Sequence, residues 1–500
     1  MRILSASTTV AESPAPSQPG KKKENALVLW LSQRFQGSAG WMCSLIFHMA
    51  LVLALGLWIL RDDRAEGPPG IILSEAQPDV PITVVPKWQP KVADIQGDVI
   101  NDSTFAVQEM ADQLAKTAPS ETPSSAIPAP AFEFSDSATM TYVPPAGAGG
   151  FAGRDPANQL GLLQQRGGSP ATQDAVERAL AWIAAQQNDD GHWDFNHRNG
   201  PQGARATDPG TANAIMGATG LALLPFLGKG YTHVKESPYQ ETVTKGLYYL
   251  RTHMIVSDRG GDMTGGSPFG MYCHGLASIA LCEAYAMTED PDLRQDAQEA
   301  IKFIEFAQHG AGGWRYQPGE PGDTSVFGWQ LMALKSALIG GLQVSSPRIG
   351  LAEHFLDTVQ TDQGAYYGYQ RPGKQPTTSS IGLLSRMYLG WRRDDPRLIR
   401  GAKFLATEGP SKRDMYYNYY ATNVMAHRGG PEWTKWNDEL SNYLVKSQSN
   451  RLYEAGSWRF DDPYLEEGGR LYTTCLAAMI LEVYYRHMPL YSDQSIEFAF

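Results

Sequence analysis

The chain has 500 residues, more than one hydrophobic core usually needs, so its length predicts two or three units, one of which need not be globular. It carries 53 acidic against 42 basic side chains, a net charge of -11, and its compact basic run is Lys21-Lys22-Lys23; nucleic acid is therefore not an expected partner. The four cysteines include no C-x-x-C pair, which indicates neither a disulfide scaffold nor a zinc finger.

The first predicted element is a membrane span at residues 41–60, which read WMCSLIFHMALVLALGLWIL and carry no formal charge. About twenty helical residues cross a bilayer core; a buried core helix and a cleaved signal peptide are the alternatives. Lys21 to Lys23 and Arg34 precede the run, while acids offset the basic residues after it. The positive-inside rule then predicts a single-pass protein of the cell inner membrane, with residues 1–40 cytoplasmic and the rest extracytoplasmic.

Residues 61–170 are predicted to form a disordered linker. They are rich in Pro, Ala, Ser and Gly, as in APSETPSSAIPAPAF and VPPAGAGGFAG, and show little amphipathic periodicity. Such a composition cannot bury enough apolar surface to offset the entropy of ordering the chain. This linker would tether whatever follows it to the membrane.

A repeated unit fills residues 171–490. An apolar residue, then Gln four positions on, then a Gly-x-aromatic group recur at 182–193, 304–314, 356–366 and 444–458. The wider gaps have room for two degenerate units, around 243–254 and 398–406. Six helical hairpins are therefore predicted. We expect each Gln to reach the free N–H groups that open an inner helix, with the aromatic ring packed over it.

The two helices of each predicted hairpin differ in polarity. First helices are amphipathic, with Val176, Leu180 and Ile183 at helical spacing, whereas second helices such as GWQLMALKSAL are apolar nearly all round. Six amphipathic outer helices around six buried inner ones form a closed double ring, since an open row would expose its apolar ends. The predicted fold is thus all-α, an (α/α)6 toroid whose inner-helix N-termini gather at one end.

The W-x3-Q-x4-G-x-W unit at 182–193 resembles the repeat of squalene and oxidosqualene cyclases. The six-hairpin ring resembles the toroid shared by terpenoid cyclases and the β subunits of protein prenyltransferases, over residues 171–490. This resemblance implies an enzyme acting on, or a protein binding, an isoprenoid or another apolar small molecule. It implies the fold more strongly than the chemistry, because fold and site are separate properties.

The chemical motifs of these families are incomplete in this chain. The cyclase pattern D-x-D-D-T aligns with Glu320 to Thr324, which places Gly322 where the resemblance implies the proton-donating Asp. The prenyltransferase zinc ligands, a D-x-C pair and a later His, do not appear where the fifth and sixth inner helices open, at 419–423 and 472–475. No metal and no other cofactor is therefore expected.

Polar and aromatic residues near the predicted inner-helix N-termini are the candidate site. Asp323 and His274, on neighbouring hairpins, are the candidate catalytic pair. The alternative is structural and more common, because Asp at this position fits a helix cap and a lone His at a helix start is more often a satisfied polar contact. The candidate ligand-binding residues are Tyr272, Cys273, Thr324, Tyr366, Tyr367, Tyr419, Tyr420 and Tyr472. Tyrosine faces suit carbocations, prenyl chains or sugars, and loop packing is the alternative.

Three functions remain open at this point. The chain is a cyclase- or prenyltransferase-like enzyme, a non-catalytic binding or scaffold toroid on a tether, or a polysaccharide lyase or glycan-binding module. The lyase hypothesis needs a basic residue beside the cleft, for which Arg315, Arg371 and Lys374 are the local candidates. A protein partner is left open.

Overall fold

The structure, a computed structural model, describes residues 132–134, 140–142, 150–487 and 490. Thirteen α-helices lie within these ranges. They are α1 Pro156–Gln165, α2 Pro170–Ala184, α3 Ile215–Gly228, α4 Gln240–His253, α5 Gly270–Thr288, α6 Pro291–Ala307, α7 Thr324–Ile339, α8 Ser346–Val359, α9 Pro376–Tyr388, α10 Pro396–Glu408, α11 Met415–Arg428, α12 Pro431–Ser447 and α13 Leu465–Leu481.

The strands form three short antiparallel pairs. They are β1 Phe132–Phe134 with β2 Met140–Tyr142, β3 Ile255–Ser257 with β4 Gly260–Asp262, and β5 Gln360–Thr361 with β6 Tyr366–Tyr367. The second and third pairs lie in the loops between an outer helix and the inner helix that follows it. They shape these loops, and Tyr367 of β6 is fully buried in the core.

The helices form the closed double ring that the repeats predict. Inner helices α3, α5, α7, α9, α11 and α13 pack in this order, and α13 packs back against α3. Outer helices α2, α4, α6, α8, α10 and α12 surround them, and α12 contacts α2 across the same seam. The all-α toroid of six hairpins is therefore the fold of this region.

Burial follows the polarity of the sequence. In α7, every residue from Thr324 to Leu338 is buried, whereas outer helix α6 buries one face, including Leu293, Ala297 and Ile301. Burying the apolar circumference of the inner helices is the main favourable term in such a fold. Glycine allows close approach within this layer, since a Cβ on Gly220 would lie 2.5 Å from the backbone nitrogen of Ala277.

The repeat aromatic residue caps the outer helix that precedes it. The indole Nε1 of Trp193 donates to the Ile183 carbonyl, that of Trp314 to Ile304, and that of Trp458 to Leu444, all at 2.7–2.8 Å. These carbonyls belong to the last turn, where intrahelical donors are missing. The Gly-x-Trp motif is therefore structural.

The repeat Gln has a different partner from the one predicted. Gln308 Nε2 donates to the Arg348 carbonyl of the next outer helix, and Gln448 Nε2 to the Ala175 carbonyl of α2, at 2.9 and 2.8 Å. The expectation that Gln binds inner-helix N–H groups is wrong. For Gln308 and Gln448 the reason is positional, because the end of the outer helix lies beside the next outer helix, whose carbonyls accept the amide N–H. Gln186 Nε2 instead donates to the Trp182 carbonyl of its own helix at 3.1 Å.

The folded region begins before residue 171, within the predicted linker. Helix α1 starts at Pro156, and Arg154, just before it, is only 1% exposed. Its Nη1 lies 2.8 Å from Glu283 Oε2, and its Nε donates to the Arg486 carbonyl at 2.8 Å. The end of the 61–170 segment is thus part of the toroid, since Phe151 and Leu163 are buried there together with Arg154.

Arg154 belongs to a buried ion network at the C-terminal ends of the inner helices. Arg486 lies 3.2 Å from Glu283 and 3.0 Å from Glu482. Burial alone would raise the pKa of Glu283, but Arg154 and Arg486 outweigh it and hold that pKa below its ordinary value. Cations are favourable at helix C-termini, where the dipoles of parallel helices add. This end of the ring is therefore closed and charged.

The predicted membrane span, residues 41–60, lies outside the described residues. Within the described ranges, no helix combines the length and apolar character that crossing a bilayer requires.

Candidate functional site

A cavity of about 240 Å³ lies at the N-terminal ends of the inner helices. Its wall comes from the N-terminal turns of α3, α5, α7, α11 and α13, together with the loops leading into α3, α5, α7 and α13. The eight aromatic members of the wall are Phe195, Phe269, Tyr272, Tyr316, Trp329, Tyr416, Tyr464 and Tyr472. Of the sixteen lining residues, only Glu467 carries a formal charge.

The aromatic rings of the wall meet at steep angles. Tyr464 is edge-on to both Tyr416 and Tyr472, with centroids 6.0 and 6.4 Å apart, and Tyr272 lies at 55° to Tyr316 at 5.7 Å. Such pairs are favourable in themselves. They hold the rings as the sides of a box around the cavity.

The first and sixth hairpins meet at this cavity. Phe195 and Ala212 come from the loop before α3, while Tyr464 and Glu467 flank the start of α13. The backbone of this loop is bound to the start of α13, since Ala212 N donates to the Glu467 carbonyl at 3.0 Å. The cavity therefore lies at the seam where the ring closes.

Three of the predicted ligand-binding residues line the cavity: Tyr272, Cys273 and Tyr472. The Tyr472 hydroxyl is buried and has no hydrogen-bond partner among the described residues. Burial raises the pKa of the Cys273 thiol, so it is neutral at physiological pH and serves as an apolar wall atom.

Four predicted tyrosines lie outside the wall. Tyr419 stacks on Trp329 at 5.5 Å and Tyr420 meets the same ring edge-on, so both form a second layer behind the cavity. Tyr367 is fully buried beside Arg386, whose Nε donates to its hydroxyl at 3.2 Å. Tyr366 packs against Phe404 near the outer helices.

His274 is a structural contact. Its Nδ1 accepts from Met263 N at 3.1 Å, and its Nε2 lies 3.0 Å from the Ala300 carbonyl. Since Nδ1 accepts and Nε2 donates, the ring is neutral, and burial lowers its pKa to about 4. His274 thus accepts a hydrogen bond from a backbone N–H of the loop that precedes its helix. In two other hairpins a threonine hydroxyl of the inner helix accepts the corresponding bond, since Trp193 N donates to Thr219 Oγ1 and Trp458 N donates to Thr474 Oγ1.

Asp323 caps helix α7. Its Oδ1 accepts from Ser325 N and Val326 N, each at 2.9 Å, while its Oδ2 lies 3.9 Å from Arg315 Nε. Burial raises its pKa, and the two backbone donors, the Tyr369 hydroxyl and Arg315 offset part of that rise. Neither ring nitrogen of His274 contacts Asp323, so the predicted pair is not formed. The sequence did not show this, because the groups that bind the His274 ring are backbone atoms of Met263 and Ala300.

Thr324 and Gly322 flank this cap and have structural surroundings. Thr324 Oγ1 donates to the Gly368 carbonyl at 2.6 Å. A Cβ on Gly322 would lie 2.8 Å from the Gly313 Cα and 2.9 Å from the Phe355 ring. A side chain at position 322 would therefore point between the helix layers, so the position at which the cyclase motif has its acid does not face the cavity.

The sequence-based candidates did not include six of the eight aromatic wall residues, nor Glu467. The six are Phe195, Phe269, Tyr316, Trp329, Tyr416 and Tyr464. Phe195 and Tyr316 each lie two residues after a repeat Trp, so this spacing was a usable signal. Trp329 lies in the second turn of α7, inside a run that is apolar on every side. Periodicity could not show which of its faces meets the cavity.

No group of three or more His, Cys, Asp or Glu side chains suited to a metal ion occurs in the part of the chain that the structure describes.

No family model matches the sequence, and no curated protein sequence matches it. Among solved structures, the chain is similar to an inactive α-1,6-mannanase variant from Salegentibacter sp. HEL1_6 with α-1,6-mannotriose, at 10% identity, covering 63% of this chain and 99% of that one (TM-score 0.45). It is also similar to the type II terpene cyclase MstE from Scytonema (16%, 62% and 97%, TM-score 0.41). An α-amylase from Clostridium perfringens is a third (11%, 62% and 97%, TM-score 0.41). At these low values the similarities carry no argument about function.

Proposed function

We propose that the toroid binds an apolar small molecule, with an isoprenoid as the best chemical fit, in the cavity at the N-terminal ends of its inner helices. The observation that supports this is the wall, which consists mainly of aromatic and aliphatic side chains and has one charged member, the exposed Glu467. Apolar pockets with a few polar groups are the usual form of small-molecule sites. At about 240 Å³ the cavity suits a short isoprenoid or one end of a longer chain.

The same wall argues against a glycan inside the cavity. A sugar presents several hydroxyl groups, and each buried hydroxyl without a partner costs about 1–3 kcal/mol. The wall offers tyrosine hydroxyls, one thiol and Glu467 as side-chain partners. The basic residues that the lyase hypothesis requires, Arg315, Arg371 and Lys374, are not among the lining residues.

We favour binding over cyclisation because neither Gly322 nor Asp323 presents a proton-donating acid to the cavity. Position 322 faces the interior of the helix layers, and the Asp323 carboxylate is engaged as a cap. The binding hypothesis predicts that Asp323→Asn, which keeps one oxygen for the cap, leaves the affinity for the neutral probe geraniol unchanged.

A blocking variant tests the proposal. Ala212 lines the cavity, whereas Ala204 is an exposed residue of the same loop. Ala212→Trp should abolish geraniol binding to the full-length chain in isothermal titration calorimetry, and Ala204→Trp should not change it. Equal affinities in both variants, or binding of maltotriose that Ala212→Trp removes, would overturn the proposal.

We also propose that residues 41–60 anchor the chain in the cell inner membrane with the toroid extracytoplasmic. The support is the uncharged run and the excess of Lys and Arg before it. Protease added to spheroplasts should degrade the toroid and leave the N-terminal tail; protection of the toroid would contradict this topology.

A further inference from the structure

The one charged residue of the cavity wall is an acid, although the Arg315 guanidinium lies 5.6 Å from the ring centre of the wall residue Tyr316. Among the residues of its wall, Glu467 is charged and no Lys, Arg or His is present. Three more carboxylates, Asp323, Asp414 and Asp462, lie behind the tyrosine wall. The nearest described cation to Asp323, Arg315, sits 3.9 Å from it with its side chain 36% exposed.

The influence of these carboxylates reaches the wall. Burial raises the pKa of Tyr272 and Tyr416, and Asp323 raises both further. Burial likewise raises the pKa of Tyr472, and Asp462 and Asp414 add to that rise. The hydroxyl ends of the wall therefore face a negative potential when these carboxylates are ionised. Burial raises the pKa of all three carboxyl groups, that of Asp462 to about 6.

The inner-helix dipoles, which place positive ends here, are partly compensated. Asp323 accepts from the backbone N–H groups of Ser325 and Val326, and Asp414 accepts from that of Tyr417. A carboxylate at a helix N-terminus neutralises the partial positive charge of that end. What remains toward the cavity is a set of aromatic rings with acids behind them.

From this arrangement we infer that the ligand carries a positive charge, in the form of an alkylated ammonium group, which the tyrosine and tryptophan rings surround while Glu467 faces it at the mouth. Aromatic boxes attract such cations through the negative faces of the rings. An alkylated ammonium keeps an apolar exterior, so it satisfies the apolar wall and the negative potential together. This inference rests on the proposed function, because it names the class of ligand for the same cavity.

Two isosteric probes separate charge from shape. Choline and 3,3-dimethylbutan-1-ol differ in having a quaternary nitrogen or a quaternary carbon. With the full-length chain in isothermal titration calorimetry, choline should bind about tenfold more tightly than its neutral isostere, as expected for a desolvated cation–π site.

A matched pair of variants assigns the charge. Glu467 and Glu466 are adjacent exposed residues, but only Glu467 lines the cavity, and its contacts to the loop before α3 are made by its backbone carbonyl. Glu467→Gln should weaken choline binding several-fold and leave the isostere unchanged, whereas Glu466→Gln should affect neither.

The outcomes distinguish the two proposals. Equal binding of choline and its isostere, or binding of geraniol alone, would overturn the cationic ligand and leave the apolar site intact. Failure of all three molecules to bind a folded chain would overturn both. Should Glu467→Gln not fold, Asp462→Asn, from behind the wall, must reduce the preference for choline over the isostere; an unchanged preference there would also refute the inference.

Discussion

Replacing Arg154 by Met tests whether the end of the apparent linker belongs to the core. The substitution keeps an apolar side chain near the Phe151 ring, 4.0 Å from the guanidinium carbon, but removes two buried hydrogen bonds, to Glu283 and to the Arg486 carbonyl, both at 2.8 Å. Breaking one partner of a buried ion pair typically costs about 3–5 kcal/mol. Because Arg486 still pairs with Glu283 at 3.2 Å, we expect the lower end, about 3 kcal/mol.

Urea unfolding of the full-length chain, followed by circular dichroism, measures this loss as a difference in the free energy of unfolding. Arg392→Met is the control, since its ion pair with Asp394 is exposed and should be worth less than about 1 kcal/mol. The double variant Arg154→Met with Glu283→Gln should lose less stability than the two single variants together. Glu283→Gln alone leaves the Arg154 guanidinium buried without its carboxylate, whereas in the double variant Arg154 is absent and Arg486 keeps Glu482. If Arg154→Met were no more destabilising than the control, the assignment of residue 154 to the core would be refuted.

Three other substitutions test the roles assigned above. Burial lowers the pKa of His274 to about 4, so between pH 6.5 and 4 the unfolded chain binds a proton at this residue that the folded chain does not. The free energy of unfolding should therefore fall by up to about 3 kcal/mol as the pH is lowered from 6.5 to 4, and it should fall less steeply in His274→Gln. A parallel slope in both proteins would contradict the neutral buried histidine. Asp323→Ala should cost about 0.5–2 kcal/mol of unfolding free energy and leave geraniol affinity unchanged; loss of affinity without loss of stability would instead indicate a ligand contact. Gly456→Ala should destabilise strongly, since its φ is +94° and a Cβ would lie 2.1 Å from the Arg178 carbonyl, whereas Gly350→Ala, on an open helix face, should stabilise slightly in the same urea titration.

The repeats made the ring predictable from the sequence. The Gly-x-aromatic motif recurs because a local requirement recurs: an outer helix must end, its last carbonyls need a donor, and the chain must turn close to its neighbour. The apolar circumference of the second helices likewise placed them inside without any knowledge of their partners. These signals depend on residues within a few turns of one another.

The extent of the folded region and the role of His274 depended on tertiary contacts that no local pattern shows. The sequence around Arg154 predicts a linker, whereas the structure pairs Arg154 with Glu283, 129 positions away. The sequence makes His274 a catalytic candidate, whereas in the structure its Nδ1 accepts a hydrogen bond from the Met263 backbone.

Sequence periodicity by itself therefore determined the architecture of the toroid and the end of the ring where the inner-helix N-termini gather. The tertiary structure decided which side chains line the cavity there, such as Phe195 and Tyr464 from the two sides of the seam. The physical reason is that ring closure joins the first hairpin to the last. It thereby fixes the rotation of each inner helix, and that rotation decides which of several equally apolar faces meets the ligand.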